Sequence, residues 1–186
     1  MASKPQRRRR SLYDWEKTEA RIVFGNSLNL ERVRIREGIS WPDTINVIGR
    51  KLKKQAPPGP KEHNAITLGF GCNFPVNLPE MNLAPGHPDE YLIGWLIHEL
   101  THCWQHQHIG PTYIFRALSV QFRLKDAAYD YGGPKNLVKV RSEGGSIYSF
   151  NLEAQGDIAR GYYLRQRNNL DVTAYEPYIA DIRNAG

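Results

Sequence analysis

Residues 98–102 read His-Glu-Leu-Thr-His, inside the run Trp95-Leu-Ile-His-Glu-Leu-Thr-His-Cys-Trp104. No other feature restricts the fold of this chain so strongly. Leu92, Ile93, Leu96, Ile97 and Leu100 mark the segment as a buried helix. A helix turns once in 3.6 residues, so His98 and His102 stand one turn apart on one face. Two imidazoles so placed can share one Zn²⁺ at about 2.0–2.1 Å. Glu99 lies beside them, where a carboxylate can take a proton from a water that the metal activates. A buried helix with two histidines and a glutamate must compensate for their polarity. A metal does so; hydrogen-bonded core histidines are the plainer alternative.

A catalytic zinc site normally needs a third protein ligand, and three residues compete for that place. His106 continues the series 98, 102, 106, but on a straight helix it stands about 12 Å from His98 along the axis. It is expected as a polar neighbour behind the ligands. His108 falls at the last position of the pattern HExxHxxGxxH. That pattern needs a glycine where this chain has Gln105, and the glycine comes only at Gly110, before Pro111. Glu153 lies in a second expected helix, residues 150–163, with Ile147, Phe150, Ala154, Ile158 and Tyr162 as its apolar stripe. Glu153 and Asp157 are one turn apart and match ExxxD, the second half of the gluzincin pattern. There the glutamate binds zinc and the aspartate orients a ligating histidine. Two surface acids on an amphipathic helix would look the same. Glu153 is the favoured ligand and His108 the alternative.

The chain has 186 residues, the size of one domain, enough to bury a core without disulfides or metals. Cys72 and Cys103 are its two cysteines, too few for a disulfide framework; Cys103 is expected to pack in the core. No apolar run approaches the ~20 residues of a membrane span. Arg7–Arg10 is followed by Ser-Leu-Tyr-Asp rather than an apolar stretch, so no signal peptide is expected. Synthesis in the cytoplasm and exit by a non-classical route follow as expectations. Net charge is +6 and pI about 9.4. Much of the excess lies in residues 1–10, with a second cluster at Arg50–Lys54. Such arms are usually solvated, though they can bind an anionic surface such as nucleic acid.

The expected organisation is a disordered basic arm over residues 1–11 and one domain over 12–186. The fold class is α+β and helix-dominated. A first helix follows Ser11 or Asp14, and Arg32–Arg36 alternates as a strand does. Residues 43–54 suggest a short element, and 56–60 a rigid loop. Asn64–Phe70 suggests a strand. Residues 73–88 hold four prolines and must be irregular. Asp89 is the expected N-cap of the histidine helix. Another helix is expected over 112–131, and Leu137–Val140 is ambiguous.

The order Glu19–Ile35 with its Phe24-Gly and Val33-Arg-Ile, then His98-Glu-Leu-Thr-His-Cys-Trp-Gln-His106, then a late helix ending Tyr-Tyr-Leu-Arg165, resembles the small Vgr-related (Rhs-element-associated) proteins. It is also similar to the HExxH metallopeptidase domain found at loci for contractile injection systems. The resemblance covers most of residues 12–166. It implies a minimal zincin-like fold: an active-site helix and a second ligand helix packed on a small sheet. It implies Zn²⁺ held by His98, His102 and Glu153, with Glu99 as base. It also implies partnership with phage-tail-like machines, including type VI secretion and phage tails. His108 has no place in the shared pattern.

Three functions are therefore expected in descending order. The first is a zinc metallopeptidase acting on peptide or protein, with an oxyanion partner among Tyr162, Tyr163, Tyr148 or His106. The second is a non-enzymatic component or cargo of a contractile or phage-like particle that retains the fold. The third is a DNA-associated metalloprotease, suggested by charge alone.

Overall fold

The structure is a computed structural model that describes residues 5–39, 65–110 and 130–185. The elements expected over 43–54 and 56–60, the Arg50–Lys54 cluster and all but the last two residues of the helix expected over 112–131 lie outside the described residues; Asp130 and Tyr131 are not helical. Among the described residues the chain is α+β, with a small four-stranded sheet and five helices. No helix there is long and apolar enough to cross a membrane.

The strands are β1 (Arg8–Arg10), β2 (Arg34–Glu37), β3 (Ile66–Leu68) and β4 (Gly71–Asn73). They lie in the order β1-β2-β4-β3. The pairs β1/β2 and β3/β4 are antiparallel, and β2/β4 is parallel. The segment expected as one strand from Asn64 to Phe70 is the first arm of a hairpin. Its two-residue turn is Gly69-Phe70, and Gly69 takes φ +63°, a conformation that glycine adopts without a Cβ clash.

The helices are α1 (Asp14–Phe24), α2 (Glu90–Ile109), α3 (Gly133–Ser142), α4 (Leu152–Arg167) and α5 (Glu176–Arg183). In α1 the capping glutamate Glu16 accepts the Tyr13 backbone N–H at 2.7 Å. The irregular stretch expected before α2 holds no helix or strand from Phe74 to Asp89. Asp89 is the N-cap residue of α2 and Gly110 ends the helix at φ +84°. The ambiguous Leu137–Val140 is helical, and α5 had no counterpart in the sequence reading.

The core forms where α2 passes between the sheet and α4. Ile93, Leu96, Ile97, Leu100, Cys103 and Trp104 of α2 are buried, against Ile35, Cys72 and Phe74 of the sheet side and Ile158 of α4 in one apolar cluster. Near-total burial explains why apolar residues occur around most of α2 rather than on one stripe. The helices α2 and α4 run antiparallel, since Gly94 lies at Leu164, His98 at Gly156, and Gln105 at the Leu152 carbonyl. A Cβ on Gly94 would stand 2.9 Å from Leu164 Cδ1, and one on Gly156 2.7 Å from His98 Cε1. These two glycines let the helices close on each other.

The arginine run departs from the expected disordered arm: Arg8–Arg10 is strand β1. Its inward side chains are Arg8 and Arg10, received by the buried carboxylates of Glu16 and Glu37 and the exposed one of Glu80. Arg8 Nε donates to Glu37 at 3.0 Å and a second nitrogen pairs with Glu80. Arg10 reaches Glu16 at 2.7 Å and Glu37 at 2.8 Å. A solvated arm would leave Glu16 and Glu37 charged and unpaired in the interior, which is costly. This neutralisation also removes two of the arm's charges from any role on an outside anion.

Candidate metal centre

The helix α2 carries His98, Glu99 and His102, all buried. The helix α4 brings Glu153 from its first turn, where Asn151 caps the helix by accepting the Ala154 N–H at 3.0 Å. Because the helices are antiparallel and pressed together at Gly156, Glu153 meets both histidines. Its Oε2 lies 3.2 Å from His98 Nε2 and 3.4 Å from His102 Nε2. The three donor atoms lie within 4.8 Å of one another. Two ligands at about 2.0–2.1 Å from a tetrahedral ion stand about 3.3 Å apart. The set therefore fits one metal ion shared by two nitrogens and one oxygen.

The ring nitrogens turned away from this point are fixed by other residues. His98 Nδ1–H donates to Asp157 Oδ1 at 3.0 Å. His102 Nδ1–H donates to Gln105 Oε1 at 2.8 Å. The Gln105 amide orientation is set in turn, because its NH₂ donates to the Leu152 carbonyl at 2.8 Å and to Gln155 Oε1 at 3.0 Å. Gln155 donates onward to the Phe150 carbonyl at 2.9 Å. With Nδ1–H spent on these partners, each histidine turns Nε2 towards Glu153; there Nε2 donates to the carboxylate when protonated and offers its lone pair to a metal when neutral.

Glu99 stands apart from the three donors. Thr67 Oγ1 on β3 donates to Glu99 Oε2 at 2.7 Å, so the sheet holds this carboxylate while α2 supplies it. The reading of the sequence did not find Thr67, Gln105 or Gly156. Gln105 was legible in principle, since it lies three residues from His102 on the same helix face. A glycine inside an otherwise good helix costs about 1 kcal/mol and asks for a packing reason, and Gly156 has one in the His98 ring. Thr67 carries no local sign, because its partner is 32 residues away.

The other candidates sit elsewhere. His108 Nε2–H donates to the Ser27 carbonyl at 2.9 Å, after α1, and Trp104 packs against its ring. It is Glu153, not His108, that joins His98 and His102. His106 packs edge-on to Phe70 at 5.3 Å, at the β3–β4 turn. The Tyr162 hydroxyl donates to Glu176 at 3.1 Å, and that of Tyr163 to Glu19 at 2.8 Å, in the packing of α4 on α5 and α1. Tyr148 is exposed and stacks on Trp104.

Charge couples the cluster. Burial alone would lower the His98 pKa, but hydrogen bonds with Asp157 and Glu153 and the charge of Glu99 outweigh it, and the pKa is raised to about 10. His102 is likewise raised against the pull of burial, chiefly by Glu153. For Glu153, burial pushes upward and the two histidines outweigh it, so its carboxyl is held well below the usual range. In the metal-free protein, His98 contributes stability that is complete below its ordinary value of 6.5 and lost as pH rises through about 10. Glu153 contributes stability present above its ordinary value of 4.5 and lost as pH falls. The thermal midpoint of chelator-treated protein is therefore expected to fall between pH 6.5 and 10, while affinity for an added metal rises, because the ion displaces protons. Differential scanning fluorimetry across that range checks this; a midpoint that climbs with pH would contradict it.

No family model matches the chain, and no solved structure matches it. Over 180 residues it is 34% identical to the type VI secretion system spike protein VgrG2b of Pseudomonas aeruginosa. The match takes in 94% of this chain and 15% of that protein, so the chain spans only a small part of the relative's length. The similarity supports a Vgr-related link for this chain.

Proposed function

We propose that the chain is a zinc-dependent peptidase with a zincin-like site, working with a type VI or related contractile secretion machine. The observation that carries the reading is the convergence of His98, His102 and Glu153 with a separately held carboxylate, Glu99, on the same helix. Two nitrogens and one carboxylate oxygen suit zinc and leave one coordination position for chemistry. Zinc held there would acidify water towards a pKa of about 7 and polarise a scissile carbonyl. His98 and His102 serve as neutral ligands, kept in one tautomer by Asp157 and Gln105. Glu99, anchored by Thr67, accepts the proton of the attacking water and returns it to the leaving amine. The similarity to a spike protein supports delivery with, or attachment to, such a particle.

That similarity also supports a second reading, in which the chain is a particle component or cargo that needs no hydrolysis. Glu99→Gln separates the two. The amide is isosteric and still accepts from Thr67, so fold and metal content are expected to match wild type. Cleavage of an unfolded protein substrate or peptide library is expected to fall by about 10²–10⁴-fold. Equal activity in wild type and variant, or a zinc-loaded wild type that cleaves nothing in the library, would overturn the peptidase reading.

A further inference from the structure

Cys72 lies on β4 and Cys103 on α2, 31 residues apart in sequence. Both are buried with no exposed surface, and their sulfurs touch at 3.5 Å. Both thiols are free in the structure. Cys72 stands in register with Ile35 on one side and Thr67 on the other. Cys103 lies one helical turn beyond Glu99. Thus the two sulfurs meet where the site helix rests on the middle of the sheet, next to the strand that holds Glu99. A packed core asks only for two small apolar groups here, and alanine or valine would serve. Two sulfurs from separate elements pointed at each other have a further chemistry.

We propose that Cys72 and Cys103 are a disulfide-forming site, oxidised by a small or protein disulfide during folding, whose bond fastens the Glu99 helix to the sheet. In the reaction, one cysteine sulfur attacks the oxidant's S–S bond, giving a mixed disulfide and releasing one thiol. The second cysteine sulfur then displaces the other half as a second thiol. Two protein S–H bonds and one oxidant S–S bond are exchanged for one protein S–S bond and two oxidant S–H bonds. The sulfurs must close from 3.5 Å to about 2.05 Å for the bond to form. Burial sets the timing. No oxidant can reach either sulfur in the closed core, so oxidation belongs to the folding chain or to rare opening. For the same reason the finished bond is shielded from reductants. This site is independent of the peptidase reading, since it needs neither metal nor substrate.

A thiol count tests it. Reduced, denatured protein is refolded in buffer dominated by oxidised glutathione, and folded protein is incubated in the same buffer in parallel. Both are then denatured, alkylated and weighed. The refolded protein is expected to be two hydrogens lighter and unalkylated, with one linked peptide pair joining Cys72 to Cys103. The folded protein is expected to reach the same product far more slowly. Closing a loop of this size is expected to raise the thermal midpoint by about 5–10 °C over the reduced form. Cys72→Ala is expected to abolish both the mass change and that oxidised-minus-reduced difference. Full alkylation of both cysteines, glutathione on each, or links only between separate molecules would overturn the proposal. If refolding yields are poor, the folded protein is incubated in the same buffer with enough urea to open the core reversibly, and the same thiol count decides the matter.

Discussion

Gly156→Ala is expected to weaken metal binding by about 100-fold or more, although it removes no ligand. The new methyl would stand 2.7 Å from His98 Cε1 and 2.8 Å from Nδ1, inside any allowed contact. The His98 ring cannot retreat freely, because Asp157 and Glu153 hold its two nitrogens. Either the ring tilts off its partners or α2 and α4 separate, and in both cases the three donors no longer point to one ion. Loss of a single outer partner of a ligating histidine already costs about 10–100-fold in affinity, and displacement of the ligand itself should cost at least as much. Stability should change far less. Overpacking costs about 1–3 kcal/mol, while alanine in place of a helical glycine returns about 1 kcal/mol. The metal-free variant is therefore expected to fold, with a net loss of about 2 kcal/mol or less. Competition with a chromogenic chelator measures the affinity, and denaturant melts measure the fold. Wild-type affinity in Gly156→Ala would show that His98 is not clamped as described.

The second large effect is expected at the other end of the sheet. Arg10→Ala should destabilise the fold by about 3–5 kcal/mol, the range for breaking a buried ion pair from one side. Its guanidinium bridges Glu16 and Glu37, whose side chains are 0% exposed, and lies 4.0 Å over the Tyr13 ring. Without Arg10, Glu37 retains Arg8 and Asn77, while among the described residues Glu16 keeps the Tyr13 N–H. Arg9 alternates to the exposed side of the same strand, so Arg9→Ala should stay within about 0.5 kcal/mol. Equal, small effects at both positions in urea melts would mean that the arm is solvated after all.

The contrast between these two regions explains how much could be read beforehand. The site helix and the grouping of His98, His102 and Glu153 are legible because their signals are local: a helical period, a glycine terminator and two motifs with one-turn spacing. Glu153 and Asp157 carried the same kind of sign on α4. The strand β1 carried a misleading one, since three consecutive arginines ordinarily mean solvent. Its pairing depends on Glu37 and Glu80, which are distant in sequence, and on nearby Glu16, all individually unremarkable as charges. Thr67 and Gly156 acquire meaning only once β3 and α4 are laid against α2, and long-range packing of that kind leaves no period to read. Gln105 is the intermediate case. In the frame HExxHxxGxxH it stands only for a missing glycine, while its hydrogen-bonding capacity beside His102 is the informative property.

Zinc content and affinity of the wild type beside Glu153→Ala test most directly whether His98, His102 and Glu153 form one metal centre. Elemental mass spectrometry on desalted protein, followed by chelator competition, is expected to give about one zinc per wild-type chain. In Glu153→Ala the affinity is expected to drop by about 100-fold or more, with little zinc surviving desalting. A wild type that holds no zinc after it is supplied, or a variant that binds as tightly as wild type, would contradict the account.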